Sequence, residues 1–221
     1  GLNQNILTIT TTGIDGPNGY SFYEQGYSNN STAIPDGGLP SGGSFTTNAG
    51  HPFQLAPYNG LNDLQIPVGN TGKLIFDASD QLSYDSLFVM VTGGGGEQVL
   101  DYTIYFTDNT STTGTFYSND WGCGCDDTAV GTLGRVSLIG GDGGYDAASG
   151  NVFSIWESSQ PQKIILTAPD NTKLVDSITF VLPSGGGETG LANIFAITGY
   201  TSIPLPVTLS SFTITPVNGK A

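Results

Sequence analysis

Nowhere in this chain do apolar residues recur at the i, i+3, i+4, i+7 spacing of a helix over helical length, whereas strand signals run from end to end. Leu100, Tyr102, Ile104 and Phe106 alternate with Asp101, Thr103, Tyr105 and Thr107, the period of two expected of a strand with one buried face. The run closes at Asp108-Asn109, a turn pair. Residues 87–91, 164–166, 178–182 and 194–197 carry apolar side chains on both strand phases, which predicts central strands covered on both faces. Glycine-rich breaks at 93–96, 140–144 and 185–187 separate the runs. Their spacing suits antiparallel hairpins and Greek-key crossings rather than βαβ units. The predicted fold is all-β, an antiparallel β-sandwich of jelly-roll type with very little helix.

A chain of 221 residues can bury a sizeable core as one large β domain. We place a single sandwich module over residues 1–202, with 203–221 as a connector and the start of a following β domain. In the first 70 residues Pro, Gly and Asn are scattered between short apolar pieces, which predicts one outer strand and long loops wrapped on the sandwich. After Ile203, the Pro204-Leu205-Pro206 stretch favours extended polyproline geometry, since proline blocks helix.

Charge narrows the partners. Five Lys and Arg face 19 Asp and Glu, a formal charge of −14, which disfavours nucleic acid and anionic lipid and suits calcium, a hard cation that takes oxygen ligands. No stretch approaches the roughly 20 apolar residues of a membrane span. The opening at Gly1 shows no basic or apolar leader, so any signal peptide is expected to have been removed. Catalysis has few tools, because His51 is the single histidine and would have to serve any Ser-His-Asp or Cys-His arrangement alone. Polysaccharide lyase chemistry would need cations, and Arg135 with four lysines is a thin supply. A glycosidase needs only two carboxylates, and 19 acids leave that alternative open.

Sugar binding calls for aromatic faces with polar groups beside them. Tyr117, Asp120, Trp121, Arg135, Tyr145 and Trp156 provide that mixture in loop-rich surroundings and are the candidate ligand-binding residues. The competing reading makes Trp156 a core residue after Val152, Phe153 and Ile155, and pairs Asp120 with Arg135. Asp142 and Asp146 in Gly141-Asp142-Gly143-Gly144-Tyr145-Asp146 are the candidate metal ligands, with Asp15-Gly16-Pro17-Asn18 as a second oxygen-rich turn. Neither matches an EF-hand loop; ordinary turn chemistry is the alternative. Cys123 and Cys125 are too few and too close for a zinc-finger pattern. They are either a strained disulfide that stiffens the loop after Trp121, favoured in an oxidising compartment, or two thiols.

The stretch Pro204-Leu205-Pro206-Val207-Thr208-Leu209-Ser210-Ser211-Phe212 resembles the segment that joins a functional module to later domains in secreted Bacteroidota proteins exported by type IX secretion. Tyr58-Asn59-Gly60-Leu61-Asn62, Tyr84-Asp85-Ser86-Leu87, Tyr105-Phe106-Thr107-Asp108, Asp120-Trp121, Gly134-Arg135-Val136 and Asn193-Ile194-Phe195-Ala196 follow an order similar to galactose-binding-like jelly-roll modules of such proteins. Cys123-Gly124-Cys125 departs from that pattern. The resemblance implies a non-catalytic accessory module of a secreted or cell-surface protein, attached to enzymes or adhesins, with a structural Ca²⁺. The expected function is binding of a neutral or weakly charged glycan through loop aromatics. The alternatives are a structural or adhesin module making protein contacts, and a glycoside hydrolase. Three triplets beginning at Asp85, Asp127 and Asp176 resemble O-glycosylation acceptors of the same bacteria, with Thr128 the loop-borne candidate.

Overall fold

The strand Ser86–Gly94 buries all nine of its residues, so layers lie on both of its faces. In the computed structural model, which describes residues 12–17, 19–29, 32–33, 37–123, 128–138, 145–146, 152–157, 163–184 and 190–201, this strand is central to a six-stranded antiparallel sheet. Its neighbours are Leu191–Tyr200 on one side and Val152–Glu157 with the short Ile164–Ile165 on the other. Leu64–Pro67 and Thr128–Leu133 are the outer strands. A four-stranded antiparallel sheet, in the order Ser111–Ser118, Gln98–Phe106, Val175–Val181, Thr71–Ile75, packs against it. The chain crosses repeatedly between the sheets, and the result is an all-β antiparallel sandwich of jelly-roll type. Among the described residues the helical content is one 3-10 turn, Asp170–Thr172.

Strand alternation sorts the core into two clusters. Leu87, Val89 and Val91 face the four-stranded sheet and meet Leu100, Ile104, Phe116, Ile178 and Phe180. Phe88 and Met90 point the other way, into a second cluster with Ile14, Phe22, Leu39, Phe53, Leu55, Trp121 and Phe195. The first 70 residues thus supply the outer strand Leu64–Pro67, as expected, and before it a third layer built from two- and three-residue strands. Each such side chain, fully buried, contributes roughly 1.5–3 kcal/mol. Polar pins fix the layer to the sheet. Gln65 Nε2 donates to Gly13 O at 2.9 Å and Asn193 Oδ1 at 3.0 Å, and Asn193 Nδ2 donates to Ile14 O at 3.2 Å.

The apolar runs divide accordingly. Residues 87–91 and 194–197 are covered on both faces, as their sequence predicts. The 178–182 run alternates instead, with Thr179 and Val181 half-buried, because the four-stranded sheet has one open face. In the 164–166 run, Ile165 is exposed between buried Ile164 and Leu166. Thr128 opens an outer strand rather than sitting in a loop. The glycine stretches at 140–144 and 185–187, and residues 203–221, lie outside the described residues.

The break expected at 93–96 is shifted. The strand continues through Gly93 and Gly94 and turns at Gly95 and Gly96, whose φ values are 76° and 124°. A Cβ at Gly94 would lie 1.9 Å from the carbonyl oxygen of Ile14, so the absent side chain is what lets the N-terminal layer approach. Gly94→Ala is expected to push the Ile14 turn away and destabilise the fold by about 1–3 kcal/mol. Chemical denaturation against the wild type measures it, and an unchanged midpoint would contradict the close approach.

Candidate functional site

The loop after Ser111–Ser118 brings Asp120 and Trp121 beside the N-terminal layer. Gly93 N–H donates to Asn119 O, and Trp121 N–H donates back to Gly93 O at 3.0 Å. That pairing turns the Trp121 indole inward. It is 2% exposed, lies edge-on to Phe22 with centroids 5.3 Å apart, and belongs to the second core cluster. The sequence reading of Trp121 as a sugar platform is therefore corrected: the side chain is a core residue, since the N-terminal layer covers the sheet face it packs on.

Asp120 works for the backbone. Its Oδ2 accepts from Gly96 N–H and its Oδ1 from Gly122 N–H, both at 2.8 Å. Arg135, in the short strand Arg135–Ser137 that pairs with Tyr20–Ser21 and Tyr145–Asp146, lays its guanidinium over Tyr20 at 3.5 Å from the ring centroid. The same guanidinium lies 5.9 Å from the Trp121 ring, and its Nε donates to Asp146 Oδ2 at 3.0 Å. Asp146 is thus an ion partner of Arg135. A calcium role for Asp146 competes with that pair, and Asp142 lies outside the described residues. No group of three or more His, Cys, Asp or Glu able to hold a metal occurs among the described residues.

Asp15 joins this cluster from far away in sequence. Its Oδ1 accepts from Gly95 N–H at 3.1 Å. Desolvation raises its pKa first and the nearby Asp120 charge second, against lowering by the Gly95 N–H, the Trp121 indole N–H and Arg135. The residue as a whole remains exposed, so the desolvation is local to the carboxyl group. Both carboxylates hold glycine N–H groups of adjoining turns, and the arrangement ties the N-terminal layer to the sheet.

Tyr145 is also tied inward, donating to Leu133 O at 2.6 Å and meeting Tyr23 edge-on at 5.9 Å. Trp156 lies in the strand Val152–Glu157 opposite Val91 and Thr128; its side chain lies outside the described residues. Cys123 is disulfide-bonded, and the second cysteine of the sequence, Cys125, is outside the described residues. His51 stacks on Phe88 at 3.8 Å.

Tyr117 is different. It is 52% exposed and lies on the open face of the four-stranded sheet, away from Trp121. Register places Tyr117 opposite Val99 at one end of that face. Next come Thr115, Asp101, Val181 and Thr71 in one row, and Thr113, Thr103, Thr179 and Lys73 in the following one. Tyr105, 41% exposed, stands opposite Ser111 at the far end, with the Lys73 ammonium 5.6 Å from its ring centroid. The sequence reading assigned Tyr105 to the outward phase of a strand without assigning it a role. The hairpin turn at Asp108-Asn109, once its register is known, carries Tyr105 and Tyr117 to the same face. That turn is built as its sequence predicts, with Asn109 at φ 65° and Asp108 Oδ1 accepting from Thr110 N–H at 2.9 Å.

No family model matches this sequence, and no curated protein matches it. Among solved structures the chain is similar to AlgX of Pseudomonas aeruginosa at 12% identity and a TM-score of 0.30, over 62% of this chain and 26% of that one. No helix among the described residues is long and apolar enough to cross a membrane.

Proposed function

We propose that this protein is a secreted or cell-surface, non-catalytic carbohydrate-binding module that takes glycan on the open face of its four-stranded sheet. The observation that carries the reading is the pair of exposed tyrosines, Tyr105 and Tyr117, on one sheet face with hydroxyl side chains between them. Aromatic rings supply apolar surface for the C–H face of a pyranose, and Thr103, Thr113 and Thr115 supply donors and acceptors for its hydroxyls. The rows between the tyrosines carry one acid, Asp101, and one base, Lys73, so the face is locally neutral on a chain of charge −14. A neutral glycan suits it, and long-range repulsion disfavours polyuronates. The disulfide at Cys123 supports an oxidising, extracytoplasmic setting.

Glycan-array binding of the intact protein, followed by titration of the best ligand, tests this. Tyr117→Ala is expected to weaken binding about tenfold, the effect of losing roughly 1.4 kcal/mol, with an unchanged melting temperature because the ring is exposed. An array without a hit, or a Tyr117→Ala variant that binds as the wild type does, would overturn the reading and favour a module that contacts proteins.

A further inference from the structure

Resting on that reading, we infer that the ligand is a straight, ribbon-shaped oligosaccharide of several equatorially linked neutral pyranoses, lying along the strands from Tyr117 to Tyr105. The spacing comes from the register. Val99, opposite Tyr117, and Tyr105 are six residues apart on the strand Gln98–Phe106, which at the strand rise is about 20 Å. One pyranose cannot touch both rings; a chain of several can.

The shape follows from what lies between. Thr115, Asp101, Thr113 and Thr103 are short side chains, and the larger tyrosine rings stand at the two ends of their rows. On the two strands that carry the rings, the ground between them is therefore low, and the longer Lys73 stands at the Tyr105 end. An extended chain keeps each of its sugars within reach of these hydroxyls, whereas a coiled, axially linked chain of equal length would lift its middle off the face. The direction is fixed by the offset of a single strand, about 4.8 Å, between Tyr117 and Tyr105, so the line joining them runs close to the strand axis. Lys73 over the Tyr105 ring holds that side chain and adds an ammonium donor at the same end.

The test is calorimetric titration of the whole protein with glucose, cellobiose, cellotetraose, cellohexaose and maltohexaose, with parallel titrations of Tyr105→Ala and Tyr117→Ala. Affinity is expected to climb with chain length through the tetraose and then level off, with cellohexaose at least tenfold tighter than maltohexaose. Both variants are expected to weaken cellohexaose by about tenfold, while cellobiose, able to reach one ring only, loses affinity in one variant and not in the other. Equal affinity for glucose and cellohexaose, or for cellohexaose and maltohexaose, would overturn the ribbon inference while leaving sugar binding intact. Binding confined to branched or axially linked glycans, yet lost in Tyr117→Ala, would do the same. Binding to no sugar at all would overturn this inference together with the reading beneath it.

Discussion

Trp121→Ala is expected to lower the stability of the folded chain by about 3–5 kcal/mol, the range for deleting a buried aromatic. For a chain of this size that corresponds to a fall in melting temperature of roughly 6–20 °C. The indole is 2% exposed and packs edge-on against Phe22, and its N–H is bonded to the Asp15 carboxylate. Its removal opens a cavity between the N-terminal layer and the six-stranded sheet and withdraws a hydrogen bond from a partly desolvated acid. Trp121→Phe keeps most of the volume and is expected to recover more than half of the loss. Urea denaturation of the three proteins reads this directly. An alanine variant as stable as the wild type would mean that the indole does not fill that core. The same numbers bear on ligand work, because a binding defect in Trp121→Ala would report damage to the fold, whereas Tyr117→Ala probes the surface alone.

Asp63 yields the second large effect, with the opposite sign. It is fully buried beside the strand Leu64–Pro67, and the Ile194 N–H approaches its carboxyl group without completing a well-formed hydrogen bond. Burial pushes its pKa well above the usual carboxylate range, offset only in part by the Ile194 N–H. A raised folded-state value means that the native protein holds this proton more tightly than the unfolded chain does. The stability it confers is complete below the unfolded value of about 3.9 and declines as pH rises toward the folded value, by about 1.4 kcal/mol per unit. Asp63→Asn keeps the shape and removes the titration. We expect it to match the wild type near pH 4, to exceed it increasingly as pH rises toward neutrality, and to flatten the stability profile between. Denaturation midpoints of both proteins from pH 4 to 8 test it, and parallel profiles would show that Asp63 finds solvent or a partner.

Local pattern was enough to read the fold class, because a strand with one wet face records its period of two in its own residues. Leu100, Ile104 and Phe106 are buried and Asp101 and Tyr105 exposed, and the hairpin turn stands at Asp108-Asn109 where the side-chain chemistry puts it. Coverage of a strand is not recorded in that way. The runs 178–182 and 194–197 look alike as sequence, yet only the second has a layer on each side, since the covering groups, Phe22, Leu39 and Phe53, come from more than a hundred residues earlier.

The candidate site divides along the same line. Aromatic side chains near acids and an arginine were visible in the sequence, but not which of them would meet solvent. Trp121 turns inward because the Gly93 pairing fixes its loop against an N-terminal layer whose approach depends on Gly94. Asp15 reaches Gly95, and the Asp120 charge acts on it across a hundred residues of chain. Tyr105 and Tyr117 share a face because antiparallel pairing at one register aligns the outward phases of two strands. Composition and periodicity, which act within a few residues, determined that this chain is a sandwich of antiparallel sheets. Which residues that sandwich presents to a ligand was decided by contacts between distant segments, whose energies depend on the assembled layers and leave no periodic trace in either segment alone.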